Sequence, residues 1–164
     1  ADAHDLPFQN RSFDAVWVQA VLEHVLDPVR CVAEIHRVLK PGGLVYAETP
    51  FMQQVHEGAY DFWRFSHSGH RWLFRMFMEL DSGPTSGPAT ACVWAVRYLV
   101  LAVTGSRTVA RVVSAGIGWM RLLDNLLRSD RRILGASGFY FLGAKVEASM
   151  KPRDIVPYFR GSPK

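Results

Sequence analysis

The pattern of apolar positions changes period several times along the chain, and each change predicts an element. Residues 13–18 (Phe-Asp-Ala-Val-Trp-Val) concentrate β-branched and aromatic side chains and predict a buried strand. Asp27-Pro28 predicts a helix start: Asp27 suits the capping of free first-turn N–H groups, and Pro28 suits the first helical position. Val29, Val32, Ala33, His36 and Leu39 then recur at helical spacing, with Arg30, Glu34 and Arg37 on other faces. Pro41-Gly42-Gly43 ends the helix, and residues 44–49 predict a second strand closed by Pro50. Strand, helix and strand joined by short turns make a βαβ unit, which implies a parallel sheet with a right-handed crossover.

Beyond Pro50 the pattern is looser. Residues 50–67 are irregular and rich in aromatics and histidine. Ser66 or Ser68 is placed to cap a short helix from Gly69 to about Met78, residues 79–80 enter another strand, and Gly83-Pro84 and Gly87-Pro88 mark a loop. Residues 89–103 are almost wholly apolar, interrupted by Thr90 and Arg97, too short and too charged at the centre for a transmembrane helix. Residues 106–128 predict a helix with Arg107, Arg111, Ser114, Gly118, Arg121, Asn125 and Arg128 along one polar face. Residues 137–146 predict a last strand, and residues 151–164, rich in Pro, Gly and charge, a loose tail.

Composition narrows the class. A chain of 164 residues that is 49% hydrophobic and 21% charged is globular with a sizeable core, which excludes a disordered tail or a collagen-like fibre. Cys31 and Cys92 are too few and too far apart for a disulfide scaffold or a zinc site. Position 1 is Ala rather than Met, and no basic start followed by an apolar run marks a signal peptide. The expectation is a processed chain or a piece of a longer one, cytoplasmic or membrane-associated. Charge is split: residues 1–80 hold 7 Lys/Arg against 10 Asp/Glu (−3), residues 81–164 hold 12 against 5 (+7), and all six histidines precede residue 71. The first half carries the site-like residues and the second a basic face, which suits a solvated surface, an anionic membrane or an anionic ligand.

Open parallel sheets bind ligands outside the carboxyl ends of their strands. Those ends lead here into residues 19–25 and 49–63, so topology alone gathers Gln19, Glu23, His24, Glu48, Thr49, His56, Glu57, Tyr60, Asp61, Trp63 and Arg64 at one edge.

Four blocks then stand in a recognisable order: Asp2-Ala3-His4-Asp5-Leu6-Pro7-Phe8, Ser12-Phe13-Asp14-Ala15-Val16, Leu22-Glu23-His24-Val25 and Glu34-Ile35-His36-Arg37-Val38-Leu39-Lys40-Pro41-Gly42-Gly43. Over roughly residues 1–50 the chain resembles the class I S-adenosylmethionine-dependent methyltransferases, most closely their type 11 branch. Tyr60-Asp61-Phe62-Trp63-Arg64-Phe65 also looks like a segment some members carry after the fifth strand. The resemblance implies an α/β fold, a partial Rossmann-like three-layer sandwich with a mostly parallel sheet and a late antiparallel strand. Residues 13–18 would match the family's fourth strand, 44–49 its fifth and 137–146 its seventh. Residues 1–150 would be the C-terminal part of one methyltransferase domain, with a helical insertion at about 88–130.

The family's glycine-rich loop after its first strand and its ribose-binding acidic residue are not in this sequence; Gly42-Gly43 precedes a strand and does not replace that loop. The stretch by itself is therefore expected to be inactive, with one sheet edge open where a first strand would pair.

For S-adenosylmethionine as cofactor, the resemblance implies that Asp2 accepts from the adenine amino group, Ala3 lies against the ring, Leu6 forms an apolar wall, and Gln19 and Ala20 pass the methionine part. His24 and His56 are the candidate catalytic bases, since imidazole titrates near neutrality, with Glu23 and Asp61 as orienters. Tyr60, Trp63 and Phe65 are placed to cover an acceptor; Arg64 holds an anionic acceptor or pairs with Asp61 or Glu57. His67 and His70 stand three apart without a supporting Cys or carboxylate pattern, so no metal site is expected. The acceptor is a small molecule, a sugar or a lipid-linked group. Residues 89–128 offer peripheral membrane contact or a helical cap over the substrate side. Nucleic acid is not expected, because the basic residues alternate with aliphatic rather than stacking aromatic ones. The competing reading is a non-catalytic remnant, or a membrane-surface interaction domain on a methyltransferase half-fold.

Overall fold

The computed structural model describes residues 1–161, which form an α/β unit around one four-stranded sheet. Strand β1 (Phe13–Gln19) leads to helix α1 (Pro28–Val38) and strand β2 (Leu39–Pro50). Asp27 caps α1, its side chain accepting from the Arg30 N–H at 3.0 Å, as the Asp-Pro pair predicts; such a cap contributes about 1 kcal/mol. Strand β2 begins directly after α1, so Pro41-Gly42-Gly43 is a bulge inside the strand rather than a separate turn. Gly42 takes φ 74°, and a Cβ at Gly43 would sit 2.9 Å from the Lys40 carbonyl oxygen.

Helix α2 (His67–Leu73) is capped by Ser66, whose Oγ accepts from the Gly69 N–H. It ends before Phe77, where strand β3 (Phe77–Ser86) starts. Here the loop expected at Gly83-Pro84 is strand: Gly83 pairs with Tyr140 and Pro84 with Phe139. Strand β3 lies at the sheet edge, where a proline costs no interior ladder bond.

Between β3 and the last strand come α3 (Pro88–Thr104), α4 (Arg107–Gly116), a 3-10 segment (Gly118–Leu126) and α5 (Ser129–Ile133). The single helix expected over 106–128 is thus broken at Gly116–Gly118, where two glycines weaken helix propensity. Asp124, nearly fully buried, reaches back to the start of α3 and accepts from the N–H groups of Gly87 (3.0 Å), Ala89 (2.9 Å) and Thr90 (3.0 Å) and from the Thr90 hydroxyl (2.7 Å).

Strand β4 (Gly138–Lys145) runs antiparallel between β2 and β3, giving the order β1-β2-β4-β3. Three of the four strands share a direction, yet only the β1–β2 ladder is parallel. Strand β1 pairs with β2 alone and leaves its outer side as an edge. Helices α1 and α2 cover one sheet face, where Val18, Leu22, Val32, Leu39, Val45, Phe74, Phe77 and Phe141 form the core. On the opposite face Trp17, Tyr46 and Tyr140 form an aromatic strip, with Trp17 largely exposed.

The tail expected to be loose contains helix α6 (Pro152–Tyr158). Tyr158 stacks on His67 at 4.9 Å and its hydroxyl meets Ser82 Oγ at 2.9 Å, while Arg160 pairs with Glu79 at 3.1 Å. Residues 162–164 of the expected tail lie outside the described residues.

Candidate functional site

The carboxyl ends of β1 and β2 open into a cavity of about 130 Å³ lined by Gln19, Ala20, Glu23, Glu48, Thr49, Pro50, Gln53, His56 and Thr85. Ala20 turns the chain out of β1 with φ 52°, a left-handed conformation that costs an alanine about 1–2 kcal/mol. Its N–H is held by the Glu48 carbonyl at 3.2 Å, so the ladder with β2 continues into the turn. Gln19 donates to Glu48 Oε2 at 2.7 Å, and the Tyr46 hydroxyl takes Glu48 Oε1. The Thr49 hydroxyl is buried at the cavity wall with no partner among the described residues.

Residues 20–25 and 51–65 are locked together over this edge. The Glu23 carbonyl accepts from the N–H groups of Phe62 (2.8 Å) and Trp63 (3.2 Å), and the Trp63 indole donates to the Val25 carbonyl at 2.9 Å. Asp61, fully enclosed, forms a two-pronged ion pair with Arg64 and accepts from the His56 N–H at 2.8 Å. Hydrogen bonds from Arg64 hold the Asp61 carboxyl down to about 2. Arg64 spends its other donors on the carbonyls of Gln53, Gln54 and Trp63. It is a structural clamp: of the two roles expected for Arg64 the structure shows the pair with Asp61, and its N–H groups are all taken within the chain. Tyr60 and Trp63 do not line the cavity: Tyr60 projects into solvent, and its carbonyl is the hydrogen-bond partner of His24 Nδ1 at 2.7 Å.

Glu23, His24 and His56 converge. Their ligand-type atoms all lie within 4.8 Å of one another, and the two imidazole rings meet edge to face at 5.0 Å between centroids. Glu23 is 1% exposed, its Oε2 has no partner among the described residues, and burial raises its carboxyl above the usual range.

The first block lies elsewhere on the same side. Asp2 Oδ1 accepts from the His4 N–H at 2.9 Å and meets the His4 ring at 2.6 Å. These bonds hold its carboxyl below the ordinary value. His4 Nε2 accepts from the Asp27 N–H, and the His4 carbonyl accepts from Arg30, which seats residues 2–6 against the start of α1. Leu6 is gripped by Glu34 and Arg37: its N–H donates to Glu34 at 2.9 Å and its carbonyl accepts from Arg37 at 2.9 Å. Gln19, Ala20 and His56 therefore share one cavity with Glu23, while Asp2, Ala3 and Leu6 stand outside its lining. An ionised, exposed Asp2 carboxylate suits an amino donor of an adenine, and the Gln19–Ala20 turn suits the amino-acid end of S-adenosylmethionine. Pattern reading missed Gln53 and Thr85 in the lining; Thr85 lies on the part of β3 that Gly83-Pro84 disguised as loop.

A second, mostly apolar cavity of about 410 Å³ adjoins through Gln53, between residues 51–54 and α3; Phe51, Met52, Pro88, Ala91 and Ala95 line it. His67 and His70, the weaker metal candidates of the sequence, are packed among aromatic rings, with burial pushing His70 down to about 3.

Comparison with known proteins gives these residues a setting. Residues 1–47 match the family described as "Methyltransferase domain". A demethylmenaquinone methyltransferase of Clavibacter sepedonicus is 51% identical over 45 residues, covering 27% of this chain and 18% of that protein. The chain thus matches about a fifth of that relative's length. Geranyl diphosphate C-methyltransferase from Streptomyces coelicolor A3(2) superposes with a TM-score of 0.53 at 17% identity, over 89% of this chain and 51% of that one. Phosphoethanolamine N-methyltransferase 2 of Haemonchus contortus, solved with S-adenosyl-L-methionine, gives 0.53 at 16% identity, over 88% and 36%.

Proposed function

We propose that this chain, a class I S-adenosylmethionine-dependent methyltransferase sequence of the type 11 branch over residues 1–47 with later strands of that fold after them, forms the adenine-binding and acceptor-binding part of an enzyme that methylates a small molecule. The observation that carries the reading is the cavity at the carboxyl ends of β1 and β2, bordered by the strained Ala20 turn and lined by Glu23 and His56, with His24 beside them outside the lining. S-adenosylmethionine supplies an electrophilic methyl on a sulfonium. The residues of this chain would hold the adenine through Asp2, Ala3 and Leu6, pass the amino-acid end along Gln19 and Ala20, and receive the acceptor's proton at the His24–His56 pair. Arg64 and Asp61 fix the segment that bears His56. At about 130 Å³ the cavity accommodates the reacting end of an acceptor rather than a whole one. The adjoining apolar cavity takes an apolar body, in keeping with the quinone and prenyl compounds in the names of the similar proteins.

Residues 1–150 are read as one domain part with the insertion at about 88–130. That insertion exposes Leu99, Val103, Val112, Trp119, Leu122 and Leu126 beside Arg107, Arg111, Arg121 and Arg128, while its one acidic residue before Asp130, Asp124, is buried. This favours peripheral contact with an anionic membrane, from which an apolar acceptor would be drawn. No helix among the described residues is long and apolar enough to cross a membrane.

The test is calorimetry on the full-length protein with S-adenosylhomocysteine, with flotation on anionic and neutral vesicles. Binding weakened about tenfold or more by Asp2→Ala, and flotation confined to anionic vesicles, are expected. Absence of S-adenosylhomocysteine binding would favour the competing reading, a non-catalytic remnant.

A further inference from the structure

Each partner of the cluster behind the cavity leaves one atom free on the same side. His24 Nδ1 faces the Tyr60 carbonyl at 2.7 Å, so the hydrogen-bond network puts the ring proton there and leaves the Nε2 lone pair. His56 Nδ1 faces the Gln54 carbonyl at 3.4 Å and Asp61 Oδ2 at 3.6 Å, which assigns its proton to Nδ1 as well. Both Nε2 atoms lie 3.8 Å from Glu23 Oε1. Two imidazoles oriented by oxygen acceptors on their far nitrogens, with the near nitrogens turned on one carboxylate, is the arrangement metal-binding histidines adopt.

The carboxylate also lacks a cation of its own. Glu23 is 1% exposed and its Oε2 is unpartnered among the described residues. The nearby guanidinium does not serve it: Arg64 has five N–H donors, and these go to Asp61 twice and to the carbonyls of Gln53, Gln54 and Trp63. An enclosed carboxylate with one oxygen unpartnered and no cation of its own is costly to keep ionised.

We propose that Glu23, His24 and His56 bind one divalent cation of the zinc class at the wall of the Gln19–Thr49 cavity. Tetrahedral zinc with ligands at about 2.0–2.1 Å spaces its donor atoms about 3.3 Å apart. The two imidazole–carboxylate separations of 3.8 Å close to that value with inward movement of about half an ångström, and all three donor atoms already lie within 4.8 Å of one another, a span that rotamer adjustment of the partly exposed His24 and His56 draws in. Two nitrogens and one carboxylate select zinc, manganese, iron or cobalt over magnesium or calcium. Three protein ligands leave a fourth position, on the side where His56 and Glu23 line the cavity. An oxygen-bearing acceptor would be oriented there, and the imidazoles would then hold the cation instead of serving as free bases.

The experiment uses the full-length protein stripped with a chelator and titrated with Co²⁺, read by its visible absorption, with Zn²⁺ as competitor and bound metal counted by mass spectrometry. One equivalent per chain is expected, with affinity lowered more than about tenfold by each of His24→Ala, His56→Ala and Glu23→Gln. His24 and His56 are partly exposed and Glu23→Gln is isosteric, so these variants retain the fold, as circular dichroism would verify. Cys92→Ser, which removes the exposed thiol, should leave the stoichiometry at one. Failure to bind Co²⁺ or Zn²⁺, or binding unchanged in all three cluster variants, overturns the proposal. An active full-length enzyme that holds no cation does so too, and leaves the imidazole-base reading in place.

Discussion

Replacing Asp61 by Asn isolates the interaction that seats the His56 segment. The substitution keeps the shape and removes the charge. It deletes the two-pronged pair with Arg64, including the 2.6 Å bond from Nη2, and weakens the 2.8 Å bond from the His56 N–H. Removing one partner of a buried pair costs about 3–5 kcal/mol, because the other charge is stranded. Asp61 is fully enclosed but the Arg64 side chain keeps 24% exposure, so water relieves part of that charge and the low end, about 3 kcal/mol, applies. Urea denaturation of the full-length protein reads it: with a slope near 2 kcal/mol/M the midpoint falls by about 1.5 M. Arg64→Met in the Asp61→Asn background removes the stranded guanidinium but also its bonds to the carbonyls of Gln53, Gln54 and Trp63, so the recovery should be partial. The pH dependence has a fixed sign. The Asp61 carboxyl, held near 2 chiefly by hydrogen bonds from Arg64, stays ionised in the fold, so its contribution is intact above the ordinary carboxylate value and vanishes as pH falls through about 2. A loss under about 1 kcal/mol in Asp61→Asn refutes the clamp.

Asp124→Ala strips three backbone donors and a hydroxyl at the start of α3, and should cost about 3 kcal/mol. Hydrogen exchange would show it as amides of Gly87, Ala89 and Thr90 that open more than about a hundredfold faster, while β2 amides keep their protection. His70 is buried and held neutral, its pKa pushed down to about 3, whereas an unfolded histidine titrates near 6.5. Stability from this residue is therefore present above pH 6.5 and drains as pH falls toward 3, by about 2 kcal/mol between pH 6.5 and 5. His70→Phe should flatten that acid limb in thermal unfolding followed at several pH values; an unchanged slope would place the acid sensitivity elsewhere.

The part of the fold most legible in the sequence is the part governed by local rules. Strand β1, the Asp27 cap and α1 follow from period and capping, because each needs neighbours only within a few residues. The start of β3 is legible near residues 79–80, but its second half is hidden, because Gly83-Pro84 is a turn signal everywhere except on an edge strand, and edge position is a tertiary fact. Helix α6 was hidden for a similar reason: its anchors, His67, Ser82 and Glu79, lie more than 70 residues away. The left-handed Ala20 could not be read either, since the residue type that usually marks such a turn is absent.

For the site, the sequence blocks that carry the family resemblance are also the blocks that touch. Glu34 and Arg37 of the last block grip Leu6, Phe8 and Asn10, and Arg30 and Asp27 seat His4. Hydrogen bonds from Arg37, with the Leu6 N–H, hold Glu34 down to about 2, so this clamp is charged throughout the neutral range. The signature therefore encodes a scaffold that fixes the Asp2 segment against α1, and does so without specifying an acceptor. The proposed acceptor chemistry rests instead on Glu23 and His24 meeting His56, a residue outside the 1–47 match, on a segment pinned by Asp61 and Arg64. On the proposed reading the adenine end and the histidine cluster rest on separate clamps, while Gln19 and Ala20 share a cavity with His56. Breaking the Asp61–Arg64 pair should disturb metal binding and acceptor affinity while leaving S-adenosylhomocysteine affinity in place, and loosening Glu34–Arg37 should do the reverse. Equal damage to both affinities by either change would show that the two sides are coupled through the sheet rather than held independently.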